Sequence, residues 1–223
     1  MKKKEIGILG LGSMGTAIAK HLKKKYKIYG YDIKKFNTLK SSKNFFFTKN
    51  LKEIFLKTNI FIVIVLDEDQ CQTIFDSFID IKKRLKIKKN YTIINCTTVS
   101  PNWVKKTYKK LQKNNFEYID CPVSGGPKKA INGKLSLMIS SKKNIYKKNL
   151  TLLRDIGSNI YNLGNKIGTG STVKIINNSL AGIQIISAAE AIILAKKEKI
   201  NLKKIFKIIN NSSGHSWMFN DRG

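Results

Sequence analysis

This 223-residue sequence predicts an α/β fold: a doubly wound, mostly parallel sheet followed by the start of an all-helical segment led by one long helix. Three observations carry that prediction. Short β-branched runs alternate with lysine-bearing stretches of helical length over most of the chain, which places parallel strands between covering helices. A glycine cluster closes the first run and opens the first helix. Beyond Gly168 the pattern changes to sustained helical spacing.

The elements follow in order. Ile6-Gly7-Ile8-Leu9 is a short apolar strand ending at glycines, and Met14 to Lys23 has helical spacing through Ile18, Ala19 and Leu22. Strands follow at Tyr26 to Tyr31, Ile60 to Leu66, Tyr91 to Asn95 and Glu117 to Cys121. Leu135 to Ser140 and Asn159 to Leu163 are expected to extend the same sheet after a loop containing Pro122, Gly125, Gly126 and Pro127. Val173, Ile176, Leu180, Ile183 and Ser187 then repeat at helical spacing through an Ala-rich run to about Lys197. Asn201 caps a second helix reaching about Asn210, and the last dozen residues show no partner elements. The boundary falls near Gly164 to Gly168, giving domains 1–165 and 166–223.

Composition narrows the class. Hydrophobic residues make up 42% of the chain, enough for a packed core. No stretch approaches ~18 uninterrupted apolar residues, so no membrane span is expected. The basic start is followed by a short apolar part broken by glycines, which is not read as an export signal. Cys71, Cys96 and Cys121 match neither a disulfide framework nor a metal pattern and are expected to be reduced, buried and cytosolic. His21 and His215 lack metal-ligand spacing, so no metal is expected.

Lys and Arg number 43 against 14 Asp and Glu, a net charge of +29. Only Arg84, Arg154 and Arg222 are arginines, although arginine dominates phosphate and base recognition. The lysines are spread over successive helices, which reads as solvated helix faces; steering of an anionic ligand and nucleic-acid binding are the competing readings.

Four segments carry chemistry. Gly10-Leu11-Gly12-Ser13-Met14-Gly15 is GxGxxG between a strand and a helix, where the turn lets backbone N–H groups meet a pyrophosphate. Asp32 ends the second strand, 22 residues after Gly10, where a carboxylate accepts hydrogen bonds from ribose hydroxyls. It favours NAD over NADP, with Lys34 and Lys35 softening that exclusion. In Asp120-Cys121-Pro122-Val123-Ser124-Gly125-Gly126-Pro127, the Ser124 hydroxyl and the amides of Gly125 and Gly126 form a candidate carboxylate nest; a plain glycine turn is the alternative. In Gly168-Thr169-Gly170-Ser171-Thr172-Val173-Lys174-Ile175-Ile176-Asn177-Asn178, Lys174 and Asn178 lie one helical turn apart. A desolvated Lys174 would exchange a proton with a substrate hydroxyl; an exposed, snorkelling lysine is the alternative.

Together these motifs resemble the β-hydroxyacid dehydrogenase family, as does Asn95-Cys96-Thr97-Thr98-Val99-Ser100-Pro101. Within the family, Gly170 to Ile176, Leu180-Ala181-Gly182 and Ser216-Trp217-Met218-Phe219 look most like the L-threonate dehydrogenase branch. The resemblance implies a Rossmann-type domain followed by an all-helical domain, and hydride transfer between nicotinamide and the hydroxyl carbon of a small 3-hydroxy acid. It implies Lys174 as general acid/base, Asn178 on the substrate, Ser124, Gly125 and Gly126 on its carboxylate, and Thr98 and Leu66 beside the nicotinamide. It also implies a homo-oligomer. Asn95 stands where relatives usually have Asp, and Asp67 where many have Pro. Family members continue through further helices, so the helical domain is expected to be truncated here and to leave the long helix apolar-faced unless a second chain covers it. A cofactor-binding remnant without turnover and a basic nucleic-acid-binding module on the same scaffold stand as alternatives.

Overall fold

The computed structural model describes residues 3–34 and 41–222, the last two by backbone alone, so Lys35 lies outside the described residues. The chain forms two compact units, Met1–Lys174 and Ile175–Gly223.

In the first unit, β1 (Glu5–Leu9), β2 (Lys27–Tyr31), β3 (Phe45–Thr48), β4 (Ile60–Val63), β5 (Tyr91–Asn95) and β6 (Phe116–Asp120) form a six-stranded sheet in the order β3-β2-β1-β4-β5-β6. Every pairing is parallel. Strand order reverses between β1 and β4, which opens a crevice at their carboxyl ends. One core contains residues from α1 (Ser13–Leu22), α5 (Gly126–Ala130) and α6 (Lys143–Ile156). The other contains residues from α2 (Leu51–Lys57), α3 (Glu68–Arg84) and α4 (Pro101–Lys113), around stacked Phe55, Phe61 and Tyr91. Such double coverage explains why the central strands read as continuous apolar runs.

Several expectations are corrected. The strand expected to reach Leu66 ends at Val63, because the Ile64 N–H makes the last ladder bond, to Leu9 O, and the Val65 N–H turns to the Thr97 hydroxyl. The segments after Pro122 do not extend the main sheet. β7 (Val123–Ser124), β8 (Ser136–Ile139) and β9 (Asn159–Asn162) form their own three-stranded sheet, with β7 antiparallel to β8. Only an isolated bridge between Asp120 and Ser140 links the two sheets among the described residues. Lys82, expected on a wet helix face, is buried: its ammonium donates to the carbonyls of Asn114 and Asn115 at the end of α4 and lies over the Phe116 ring. All three cysteines are free and buried, and burial pushes the Cys71 thiol up to about 12.

α7 (Thr169–Lys197) begins in the first unit and runs into the second. By length and composition it is, among the described residues, the one helix able to cross a membrane, with mean hydropathy 1.5 over its most apolar window. Counting uninterrupted apolar runs misses this, because Asn177, Asn178, Ser179 and Gln184 are interspersed. Ile176, Leu180, Ile183, Ile186, Ile193 and Leu194 are each more than half exposed. α8 (Leu202–Asn210) is capped by the Asn201 side chain, which accepts from the Lys204 N–H. A further short helix, α9 (Trp217–Arg222), was not expected; it buries Phe219 against Phe206.

At the opposite end of the first unit from the carboxyl edge, Asp155 near the end of α6 accepts from Lys25 and from the Tyr26 hydroxyl. Burial pushes its carboxyl up, but the two donors and the nearby positive charge outweigh burial and hold it below the usual range. A depressed carboxylate contributes stability above its unfolded pKa of about 3.9, lost as pH falls through the folded value. Asp155→Asn should therefore cost about 1 kcal/mol near neutral pH, with the gap from the parent closing below roughly pH 4. Urea unfolding at several pH values measures it; a gap independent of pH would assign the loss to packing.

Candidate active site at the carboxyl edge of the sheet

The cofactor end is built from the first turn. The Gly10 N–H donates to Tyr31 O, which closes the β1 turn against the end of β2. The Leu11 N–H donates to Asp32 Oδ2 at 2.6 Å, and the Lys34 N–H to Oδ1 at 2.9 Å, so the structure brings Asp32 directly to the glycine turn. Gly12 is the N-cap of α1, with no side-chain cap and no acidic residue in the first turn. The first helical bond is Thr16 N–H to Gly12 O, which leaves the amides of Ser13, Met14 and Gly15 as helix-start donors without a partner among the described residues. Such donors and the positive end of the helix dipole suit an anion.

The glycines divide their tasks. A Cβ on Gly15 would overlap the Gly10 carbonyl oxygen, so Gly15 permits close helix–strand packing. Among the described residues a Cβ on Gly12 would meet nothing within 4 Å, so Gly12 borders open space at the start of α1. The residues present thus fit a pyrophosphate with its ribose on Asp32.

Along the same edge, Leu66 and Thr98 are exposed beyond β4 and β5. Asn95, at the end of β5, donates from its amide to the Tyr118 hydroxyl at 3.0 Å and accepts from the Thr97 N–H at 3.2 Å, fixing the turn that leads to Thr98. Asp67 caps α3 by accepting from the Gln70 N–H, a task a proline there could not perform. Ser124 ends β7, and Gly125 and Gly126 both have positive φ, +130° and +71°, at the start of α5. The hydroxyl and the two glycine amides are therefore adjacent in one tight turn.

Lys174 is 9% exposed and makes no ion pair among the described residues. Desolvation by burial lowers its pKa from the ordinary lysine value. Its helix starts at the same sheet edge, because Asp120 at the end of β6 accepts from the Ser171 N–H at 3.0 Å and the Ser171 hydroxyl at 2.7 Å. From β1 to β6 is three strand spacings, roughly 14 Å, so the pyrophosphate turn and the Lys174 helix stand at separate points of one edge. Asn178, one turn along α7, is exposed in the second unit. The sequence reading missed Asp120, Ser140 and Ser171 as a group; its only signal was a carboxylate preceding the Ser124 turn.

An open parallel sheet of this order, with a glycine turn, a helix-start anion site and a carboxylate after the second strand, defines a Rossmann-type dinucleotide-binding protein. Residues 5–164 match the family model for the NAD binding domain of 6-phosphogluconate dehydrogenase, and residues 168–223 match that for the NAD-binding region of NADP-dependent 3-hydroxyisobutyrate dehydrogenase. The chain belongs to the NAD-binding β-hydroxyacid dehydrogenase family, oxidoreductases acting on CH–OH groups. It is 30% identical over 220 residues to L-threonate dehydrogenase of Escherichia coli, covering 97% of this chain and 72% of that protein. It is 31% identical to the mitochondrial 3-hydroxyisobutyrate dehydrogenase of Mus musculus, covering 96% of this chain and 64% of that one. A crystal structure of 3-hydroxyisobutyrate dehydrogenase from Salmonella typhimurium superposes with a TM-score of 0.87 at 29% identity, over 98% of this chain and 76% of that chain.

Two glycine variants separate binding from folding. Gly12→Ala should leave the urea midpoint unchanged yet weaken NAD by about tenfold or more, since its methyl meets only open space at the helix start where the pyrophosphate is expected. Gly15→Ala should cost about 1–3 kcal/mol of stability through overpacking. Fluorescence titration with NAD and urea unfolding measure both; undiminished NAD affinity in Gly12→Ala would place the pyrophosphate elsewhere.

Proposed function

We propose that this chain moves a hydride between NAD and the hydroxyl carbon of a small 3-hydroxy acid of the L-threonate or 3-hydroxyisobutyrate type, with Lys174 as general acid/base. One observation carries the reading: a buried lysine without an ion pair among the described residues, on a helix that starts at the dinucleotide-binding edge. Burial favours the neutral amine, which accepts the substrate's hydroxyl proton as the C–H bond gives up its hydride. In the reverse direction the ammonium returns that proton. The nicotinamide, when bound, supplies the hydride acceptor or donor.

The other residues bind and orient. Ser124 and the amides of Gly125 and Gly126 hold the substrate carboxylate, and Asn178 holds its hydroxyl or carboxylate. Leu66 and Thr98 line the nicotinamide side, while the Gly10 to Gly15 turn holds the pyrophosphate. Asp32 accepts from the ribose hydroxyls and disfavours a 2′-phosphate, so NAD is preferred over NADP. The L-threonate and 3-hydroxyisobutyrate names of the relatives support this substrate class. The reading includes a homo-oligomer in which a second copy covers the apolar side chains of α7, and a reducing, cytosolic setting that suits three buried thiols.

Reduction of NAD followed by absorbance, with L-threonate, D-threonate, 3-hydroxyisobutyrate, glycerate and tartronate, tests the substrate class directly; turnover on none of these acids would refute it. Lys174→Ala should keep NAD affinity within about twofold but lower turnover by about 10²–10⁴-fold. Parent-like turnover in that variant would remove the acid/base role. Asp32→Ala should narrow the ratio of NAD to NADP affinity by about tenfold; an unchanged ratio would mean that Asp32 does not meet the ribose.

A further inference from the structure

We infer that Asp120 is a positioning residue for this reaction: with Ser140 and Ser171 it seats the first turn of α7 on the sheet edge and so fixes where Lys174 stands. The inference rests on the reading of Lys174 as general acid/base.

The geometry is a helix cap supplied from far away in the chain. Helix starts are ordinarily capped by a neighbouring Ser, Thr, Asp or Asn. Here two amides of the first turn go to groups 51 and 30 residues distant, the Ser171 N–H to Asp120 Oδ2 and the Gly170 N–H to the Ser140 hydroxyl, while the Thr169 N–H donates locally to Lys166 O. The Ser140 hydroxyl in turn donates to Asp120 Oδ2 at 2.9 Å, and the Ser171 hydroxyl to Oδ1 at 2.7 Å. Asp120, Ser140 and Ser171 are each at most 1% exposed, so no water competes for these bonds. The backbone locks the same point, because Asp120 and Ser140 exchange both N–H···O bonds, at 3.1 and 2.9 Å. Gly170 has no room for a side chain; a Cβ there would crowd Met138 O and come within 3.0 Å of Asp120 Oδ2. A carboxylate at a helix N-terminus also meets the positive end of the dipole.

Lys174 stands three residues beyond Ser171, about 4.5 Å of helix rise. No ion pair among the described residues holds its amine. Its place is therefore set by the helix, and the helix start by Asp120. Reaction geometry is sensitive at this scale: a displacement of about 1 Å costs on the order of a hundredfold in rate.

The test uses Asp120→Asn, which keeps the side chain's shape but replaces one acceptor oxygen with a donor. Lys174 is labelled with trace acetic anhydride across about pH 7 to 11, read by peptide mass spectrometry, a measurement that needs no turnover. If Asp120 seats the helix, the variant exposes Lys174 and its half-titration point rises toward that of an ordinary lysine. Turnover of L-threonate or 3-hydroxyisobutyrate then falls by about a hundredfold in kcat, while NAD affinity stays within about twofold. An unchanged labelling curve and kcat in a folded variant would make Asp120 purely structural and overturn the inference. A fall in the half-titration point would overturn it too, because loss of a nearby negative charge acting directly on the ammonium shifts the point that way. Should Asp120→Asn fail to fold, Ser171→Ala and Ser140→Ala each remove one hydroxyl donor and carry the same expectation. Parent-like turnover in Lys174→Ala, by contrast, would defeat the acid/base reading itself, so the two failures are told apart by different variants.

Discussion

A buried carboxylate holds together the part of the first unit that carries Lys174. Asp120 ends the last strand of the main sheet, bridges to the small second sheet through Ser140, and receives the first turn of α7 through Ser171. Burial alone would make a charge there costly. Burial does push its carboxyl above the ordinary range, and the donors from Ser171, Ser140 and the Gly168 amide pull it back only in part. The exchange is a common one in proteins: a polar group is tolerated in the interior where every lone pair it presents is used, and in return it specifies a single arrangement of the elements around it.

The other half of the site depends on backbone. Around Gly10, Gly12 and Gly15 almost no side chain participates; the turn is shaped by a close approach and by space left free. Asp32 is held in place by the amides of Leu11 and Lys34, so its carboxylate is oriented before any ligand arrives. The two halves occupy one edge because the strand order reverses beside β1, so that successive strands β4, β5 and β6 carry the edge away from the glycine turn. The lysine excess belongs to a different level of description. Among the described residues only Lys82 and Lys174 are buried: the Lys82 ammonium is satisfied by the carbonyls at the end of α4, whereas Lys174 makes no ion pair. Most of the remaining lysines lie outside the core, and a few, such as Lys25 on Asp155, form ion pairs.

Much of this was legible in the residues. Central strands buried on both faces announce themselves as β-branched runs, and β5 matched its predicted limits, Tyr91 to Asn95. The glycine turn, the acidic residue after β2 and the cap of α8 are local in sequence, so local reasoning finds them. The edge strand β3 was not legible, since Phe45-Phe46-Phe47 shows no alternation and takes its strand form from pairing with β2. The same holds for the second sheet, whose separation from the first is decided by an antiparallel β7 of two residues. Lys82 looked like its neighbours because burial of a single lysine depends on which helix end comes to lie above it.

The sequence by itself determined the alternation of strands and helices, the dinucleotide turn, the carboxylate after β2 and the residue types available for proton transfer. Those are properties of contiguous segments, and short-range sterics and hydrophobic period suffice to express them. Only the tertiary structure decided that Asp120, Ser140 and Ser171 meet, that Gly12 faces open space while Gly15 is pressed against Gly10, and that Lys174 is desolvated. The Asp120 cluster depends on contacts between segments 20 to 51 residues apart, which no local pattern in the chain encodes, and the glycine turn shows its division of space only once it is folded.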